Sequence, residues 1–178
     1  MVLLEAFDEL GLRPKVMAGT SIGAIYGAAY ASGMTAKEIR AHTEEMLGKR
    51  FDLVKDLLSS KARGFSKVWN LFGASNAVLD PGMLLDLVMP GAIKREFSEL
   101  PIPLKIVASD FYGQEPVVFT SGPVQRAVAA SRALPVIFEP VLVDGRAMID
   151  GGLTNPLPFD LLFGEADLVV AIDVTGVP

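Results

Sequence analysis

The 178-residue sequence lacks cysteine altogether and contains only one histidine. The absence of cysteine excludes disulfides, thiolate metal sites and a cysteine nucleophile, but it leaves the cellular compartment open. Positive charge is also limited, because the net charge is −5 and the 16 lysine and arginine residues are scattered along the chain. Nucleic-acid-binding proteins usually carry a basic patch, so we do not expect this chain to bind nucleic acid.

Targeting and membrane-spanning signals are absent as well. The first eight residues include Glu5 and Asp8 but no basic residue, so we expect no secretory signal peptide. The uncharged window at residues 16–34 is rich in glycine, alanine, serine and threonine but poor in leucine, which is typical of a buried helix. We therefore expect a cytoplasmic protein, and any membrane contact would be peripheral.

The sequence does contain the material for a packed domain. Apolar residues make up 51% of the chain, and 17 glycines and 12 prolines are spread along it, as expected for an α/β domain with many short connections. The length is sufficient for a hydrophobic core, and no internal linker is evident. We therefore predict a single domain over residues 1–178.

The spacing of apolar residues changes along the chain. In the first half it predicts helices at residues 2–10, after the capping box at residues 35–38, and within residues 51–89. In the second half it predicts a helix at residues 123–133, a short helix at 158–163, and strands at 104–109, 116–120, 141–143, 146–149 and 168–172. Strands without alternation are typical of a sheet covered on both faces. We predict a three-layer α/β/α fold with a mostly parallel central sheet and hairpin strands.

The most informative stretch is residues 16–31, in which the pattern Gly19-x-Ser21-x-Gly23 separates a short apolar strand from a small-residue helix. This is the nucleophile-elbow pattern, in which a serine on a sharp turn exposes its hydroxyl at a helix N-terminus. Larger residues at positions 19 and 23 would be expected to collide with the neighbouring strand and helix. The helix N-terminus favours negative charge, so we predict Ser21 as a nucleophile and the N–H of Ile22 as an oxyanion donor.

A serine nucleophile needs a base, and His42 is a poor candidate for that role. It follows Ser21 closely, whereas the histidine comes last in the α/β-hydrolase order, and it falls on a helix face that we expect to be solvent-exposed. Asp150 is the better candidate, because it ends an apolar strand and sites in open α/β sheets form at strand ends. Gly151 and Gly152 leave room beside its carboxylate. By itself, Asp-Gly-Gly is typical of an ordinary turn, and a free aspartate, with a pKa of about 3.9, is a weak base.

These residues resemble the motifs of the patatin-like phospholipase family. Residues 19–23 match its G-x-S-x-G motif, and residues 150–152 match its D-G-[GA] motif. Four further segments match in the family's order, at residues 107–110, 117–122, 130–135 and 155–158. The resemblance implies a patatin-like fold and a dyad hydrolase that acts on acyl esters, often of lipids, with Ser21 as nucleophile and Asp150 as base. It implies neither a metal nor an organic cofactor.

The sequence departs from the family at its beginning. Family members begin with a strand and a glycine-rich G-G-x-[RK] loop that supplies oxyanion donors, whereas the only Gly-Gly pair here is at residues 151–152. We therefore expect a fold truncated at its N-terminus, with Ile22 as the one identified oxyanion donor. The loss of one such donor costs about a hundred- to a thousandfold in turnover in other enzymes.

Three alternatives to ester hydrolysis stay open. Acyl transfer to an alcohol would use the same residues. A catalytically impaired domain that serves lipid binding or association would be consistent with the missing oxyanion loop. A nucleotide-binding module would place Asp110 and Asp173 at strand ends, although no common phosphate-binding loop is present.

Residues 51–72 are the predicted place of any membrane contact. Their apolar side chains would either cover the sheet, which we favour, or line an acyl site and touch lipid. In the second case Lys61, Arg63 and Lys67 would favour anionic head groups. The expected partners are therefore a lipid or small acyl ester and, peripherally, a membrane.

Overall fold

The computed structural model of the protein describes residues 1–45, 91–135 and 138–174. The helices predicted within residues 51–89, and with them the proposed membrane contact around Lys61, lie outside the described residues. Among the described residues, the helices are too short or too polar to cross a bilayer.

Among the described residues, three helices precede residue 46 and one follows later. They are α1 (Val2–Glu9), α2 (Ile22–Ala31), α3 (residues 36–45) and α4 (Val124–Ser131). The strands are β1 (Met17–Thr20), β2 (Leu104–Asp110), β3 (Pro116–Phe119), β4 (Val141–Val143) and β5 (Arg146–Asp150). Short 3-10 turns are formed by Phe97–Glu99, Gly151–Leu153 and Phe159–Leu162. These elements confirm the predicted α/β class.

Strand β2 is the centre of the sheet, since it pairs with β1, β3 and β5, while β4 pairs with β5. The expectation of a mostly parallel sheet is wrong for the described strands, because the β1–β2 pair is parallel and the other three pairs are antiparallel. For two of these three pairs the reason is the length of the connections. Residues 111–115 join β2 to β3, and only Asp144 and Gly145 join β4 to β5, so both pairs are hairpins.

Strands β1 and β5 meet end to end along one edge of β2. Ile106 and Val107 pair with both β1 and β3, so those two strands take opposite edges of β2. Ala108 and Ser109 pair with both β3 and β5, so β5 lies on the same edge as β1. The register sets Thr20 opposite Val107 and Asp150 opposite Ala108. The last residues of β1 and β5 are therefore brought together at the middle of β2.

Helices α2 and α4 cover one face of this sheet. Leu104 and Ile106, which point to the same face of β2, are buried in one cluster with the alanines of α2 and the apolar residues of α4. The small-residue helix packs closely, because a β-carbon at Gly27 would lie 3.3 Å from a methyl group of Leu104. On the other face, Lys105 donates to the carbonyl of Leu161. The sheet thus fixes α2, whose N-terminus follows Ser21.

Asp8 joins the first three helices. Its carboxylate accepts hydrogen bonds from Arg13 (2.9 Å), from the hydroxyl of Tyr30 in α2 (2.9 Å) and from the N–H of Ala36 at the start of α3 (2.7 Å). Burial raises the pKa of Asp8, but these hydrogen bonds outweigh burial, so the pKa lies below its ordinary value of 3.8. The capping box predicted at Thr35 and Glu38 is confirmed, since each backbone N–H donates to the other side chain.

The apolar run at residues 168–172 does not form the predicted final strand. It pairs with no strand among the described residues, and Leu168, Val170 and Ile172 expose 78%, 46% and 48% of their surface. A cavity of about 650 Å³ separates this run from β1. An apolar sequence forms a strand only where a neighbouring edge offers hydrogen bonds, and here the described β1 is separated from it by the cavity.

Candidate active site

Ser21 lies on the turn between β1 and α2, where the sequence predicts a nucleophile elbow. Its backbone has φ 53° and ψ −116°, a conformation that is sparsely populated by residues other than glycine and costs about 1–3 kcal/mol. Helix α2 begins immediately afterwards, at Ile22. The surrounding fold therefore holds the serine in a strained conformation at a helix N-terminus.

The two glycines of the elbow motif differ in what the fold requires of them. A β-carbon at Gly19 would lie 2.7 Å from the carbonyl carbon of Gly23 and closer still to its oxygen. Only glycine fits there without a backbone shift. A β-carbon at Gly23 would meet nothing within 4 Å, so the collision expected there does not occur for an alanine side chain. The close contact lies between position 19 and the backbone of Gly23. A side chain at position 23 would take no part in this contact.

The hydroxyl of Ser21 donates to Oδ2 of Asp150 over 2.6 Å. Asp150 is the last residue of β5 and is 7% exposed, and it meets Ser21 because β1 and β5 end against each other on β2. Its other carboxylate oxygen accepts the N–H of Gly152 over 2.7 Å, which fixes the plane of the carboxylate. Two residues that are 129 positions apart in sequence are thus joined by one short hydrogen bond.

The glycines after Asp150 lie in close contacts, and the closest contact at Gly151 is with backbone atoms. A β-carbon at Gly151 would lie 2.7 Å from the carbonyl carbon of Val107 and 3.0 Å from the methyl group of Thr20. A β-carbon at Gly152 would lie 3.0 Å from the carboxylate of Asp150. Both glycines therefore leave the space in which the carboxylate and the elbow approach each other.

Three hydroxyl groups that the sequence reasoning missed connect this site to the rest of the fold. Ser131 accepts the N–H of Ser21 over 2.8 Å, and Ser109 donates to the carbonyl of Asp150 over 2.9 Å. Thr20 donates to the carbonyl of Asn155 over 2.9 Å. The sequence signals that could have indicated two of them are a serine at the end of an apolar strand (Ser109) and a serine at the end of an apolar helix (Ser131).

The start of α2 offers donors to an anion beside Ser21. The first N–H groups of an α-helix have no intrahelical acceptor, and Ile22 is the first residue of α2. The helix dipole adds partial positive charge at the same place. Negative charge that develops on an atom bound to Ser21 would therefore be stabilised at this helix terminus.

His42 and Asp110 have other places in the structure. His42 lies within α3, and the hydroxyl of Ser21 donates to Asp150 instead. The carboxylate of Asp110 accepts the N–H groups of Tyr112 and Gly113 over 3.0 Å each, so it stabilises the hairpin turn. The described residues include no cluster of three or more side chains suited to hold a metal ion.

Comparison with known proteins identifies the fold family. A model of the patatin-like phospholipase family matches residues 1–163. An uncharacterized NTE family protein of Mycobacterium bovis is 33% identical over 175 residues, which cover 98% of this chain and 44% of that protein. An uncharacterized Bacillus subtilis protein, YqhO, is 34% identical over 194 residues, which cover 98% of this chain and 65% of that protein.

Among solved structures, VipD from Legionella pneumophila aligns with 86% of this chain and 43% of its own, at 16% identity and a TM-score of 0.45. The chain spans less than half the length of the mycobacterial relative that it matches. The family model, in contrast, covers nearly all of the chain and includes both halves of the site. The chain belongs to the patatin-like phospholipase family.

Proposed function

We propose that the chain hydrolyses acyl esters, with Ser21 as nucleophile and Asp150 as general base. The observation that carries the proposal is the 2.6 Å hydrogen bond from the hydroxyl of Ser21 to Asp150, formed at a strained strand-to-helix turn. A positioned base within this distance of the nucleophile is the arrangement that nucleophilic catalysis requires. Family membership supports a lipid acyl hydrolase activity.

In the first half-reaction, Oγ of Ser21 attacks the ester carbonyl carbon while its proton moves to Oδ2 of Asp150. The resulting tetrahedral oxyanion accepts a hydrogen bond from the N–H of Ile22. Collapse of this intermediate breaks the bond to the alcohol oxygen, which takes the proton from Asp150 as it leaves. The products of this step are a free alcohol and an acyl-Ser21 ester.

In the second half-reaction, Asp150 takes a proton from a water molecule that attacks the acyl-Ser21 carbonyl. The second tetrahedral intermediate collapses, Oγ of Ser21 recovers the proton, and a fatty acid is released. Asp150 thus returns to its ionised state, and each turnover consumes one water and one ester. An alcohol in place of this water would give acyl transfer by the same steps.

Apolar groups beside the site support a lipid substrate. Ile22 follows Ser21 directly and is 44% exposed, while Leu153 follows the Asp-Gly-Gly segment and is 58% exposed. Exposed apolar side chains next to reactive groups favour contact with acyl chains or with the surface of a lipid aggregate. We therefore propose lipid acyl esters as the substrate class, and a peripheral contact with membranes.

The proposal is tested by ester hydrolysis with a matched set of variants. Wild-type protein is expected to hydrolyse p-nitrophenyl esters of graded chain length, whereas Ser21→Ala and Asp150→Asn lose at least about a hundredfold in kcat. Asp110→Asn is the matched control, because Asp110 is also a buried carboxylate at the end of a strand but lies in the hairpin turn.

Two outcomes would contradict the proposal. Hydrolysis by Ser21→Ala at the wild-type rate would exclude Ser21 as the nucleophile. A folded wild-type protein without measurable turnover would instead favour the catalytically impaired domain that binds lipid or associates through it.

A further inference from the structure

The buried hydroxyl of Ser131 lies between the elbow and the central strand. Ser131 is the last residue of α4 and has no solvent exposure. Its Oγ accepts the backbone N–H of Ser21 over 2.8 Å and donates to the carbonyl of Val107 over 2.5 Å. One hydroxyl thus connects the strained turn at Ser21 to strand β2.

The same short segment also holds the other half of the site. The N–H of Asp150 donates to the carbonyl of Ala133 over 3.0 Å. Asp150 pairs with Ala108, the residue next to Val107 on β2. Residues 131–133 and two adjacent residues of β2 therefore set the positions of both partners in the Ser21–Asp150 hydrogen bond.

We propose that Ser131 is a positioning residue, which holds the backbone of Ser21 in the conformation that directs its hydroxyl toward Asp150. This inference rests on the proposed role of Ser21 as nucleophile. The conformation at φ 53° is unfavourable for serine and persists only where surrounding contacts enforce it. Without the Ser131 hydroxyl, the N–H of Ser21 loses its acceptor, and the turn can relax toward a more favourable backbone conformation.

Ser131 acts through the backbone of Ser21, so removal of its hydroxyl should lower the rate of attack by Ser21 and leave substrate binding unchanged. Its only hydroxyl proton is directed to Val107, which leaves no proton for the reaction. A shift of about 1 Å in a nucleophile can cost about a hundredfold in rate. We therefore expect Ser131→Ala to lower the rate constant for acylation of Ser21 by about ten- to a hundredfold.

The test measures covalent labelling of Ser21 by a small fluorophosphonate, followed by intact-protein mass over time. Ser32→Ala is a matched control, because Ser32 is also buried, donates to the carbonyl of Ala28 (2.7 Å) and accepts the N–H of Lys94 (3.0 Å). Ser32 caps the opposite end of α2 from Ser21. Both substitutions remove one buried hydroxyl with the same two kinds of partner, so they separate loss of positioning from loss of stability.

The rate constant and the end point of labelling report different effects. A misfolded fraction that does not refold is never labelled and lowers the end point, whereas loss of positioning slows labelling of a fully reactive population. Ser131→Ala is expected to reach the wild-type end point ten- to a hundredfold more slowly, with the concentration for half-maximal rate unchanged. Ser32→Ala is expected to label within twofold of the wild-type rate constant.

Three results would overturn the inference. A Ser131→Ala rate constant within twofold of that of Ser32→Ala would do so, as would a loss confined to the end point. Failure of the wild-type protein to label would overturn the proposed function together with the inference. If Ser131→Ala does not fold, Ser131→Cys tests the same point, because its similar volume preserves packing while sulfur is a weak acceptor, and it must label more slowly than wild type.

Discussion

Alanine substitution of each elbow glycine separates the steric demand of the turn from the sequence motif. At position 19, the new methyl group would lie 2.7 Å from the carbonyl carbon of Gly23 and 2.9 Å from the N–H nitrogen of Ala24. Both are backbone atoms, so no side-chain rotation can relieve the contact. At position 23, the methyl group would enter open space.

The expected free-energy changes have opposite signs. Overpacking against a rigid backbone costs about 3 kcal/mol in unfolding free energy at position 19, and it displaces the turn that carries Ser21. Gly23 lies within α2, where alanine is favoured over glycine by about 0.5 kcal/mol. We therefore expect Gly19→Ala to be strongly destabilised and Gly23→Ala to be as stable as wild type or slightly more so.

Urea denaturation at neutral pH measures both effects on the same scale, and labelling with a small fluorophosphonate reports the geometry of the turn. Gly19→Ala is expected to label at least about a hundredfold more slowly, and Gly23→Ala at close to the wild-type rate. Equal destabilisation by the two substitutions would contradict the steric difference between the two positions, because it would mean that both glycines meet the same steric limit.

Three further substitutions probe the surroundings of the site. Gly151→Ala is expected to displace Asp150 and lower ester hydrolysis about a hundredfold, because its methyl group would lie 2.7 Å from the carbonyl carbon of Val107; wild-type kcat in this variant would disprove the contact. Thr20→Val is expected to lower unfolding free energy by about 1 kcal/mol, through loss of the hydrogen bond to Asn155, and an unchanged urea midpoint would contradict this. Asp8→Asn is expected to lose about 2 kcal/mol at pH 7. Folding lowers the pKa of Asp8, so the stabilisation by its carboxylate is present above pH 3.8 and is lost as the pH falls further. The unfolding free energies of wild type and Asp8→Asn should therefore converge on acidification. A difference that is independent of pH would contradict the role of the carboxylate charge.

Local patterns predicted much of the fold because each is enforced by short-range chemistry. The apolar spacing of residues 2–10 matches α1, and the Asp144-Gly145 turn has φ 50° and 77°, as a two-residue hairpin requires. The sheet topology could not be obtained in the same way. The sequence of an apolar strand such as Leu104–Asp110 does not show which strands it pairs with or in which direction. For that reason the expectation of a mostly parallel sheet was wrong for the described strands.

The sequence predicts the motif residues of the candidate site, but it does not predict the residues that hold them in position. The elbow motif predicts Ser21, the lack of a suitable histidine favours Asp150 as its partner, and the structure places the two side chains in contact. Ser131 and Ser109 act through backbone atoms of distant residues, so only the three-dimensional arrangement reveals them. The two glycines of the elbow differ in the space around a β-carbon, a difference that depends on the exact course of the turn and that the sequence motif does not show.

Whether Asp150 activates Ser21 is measured most directly by mass mapping of the adduct formed with a fluorophosphonate. We expect one adduct per chain, located on Ser21, absent in Ser21→Ala and formed at least about a hundredfold more slowly in Asp150→Asn. An adduct on another residue, or equal labelling rates in wild type and Asp150→Asn, would contradict this activation.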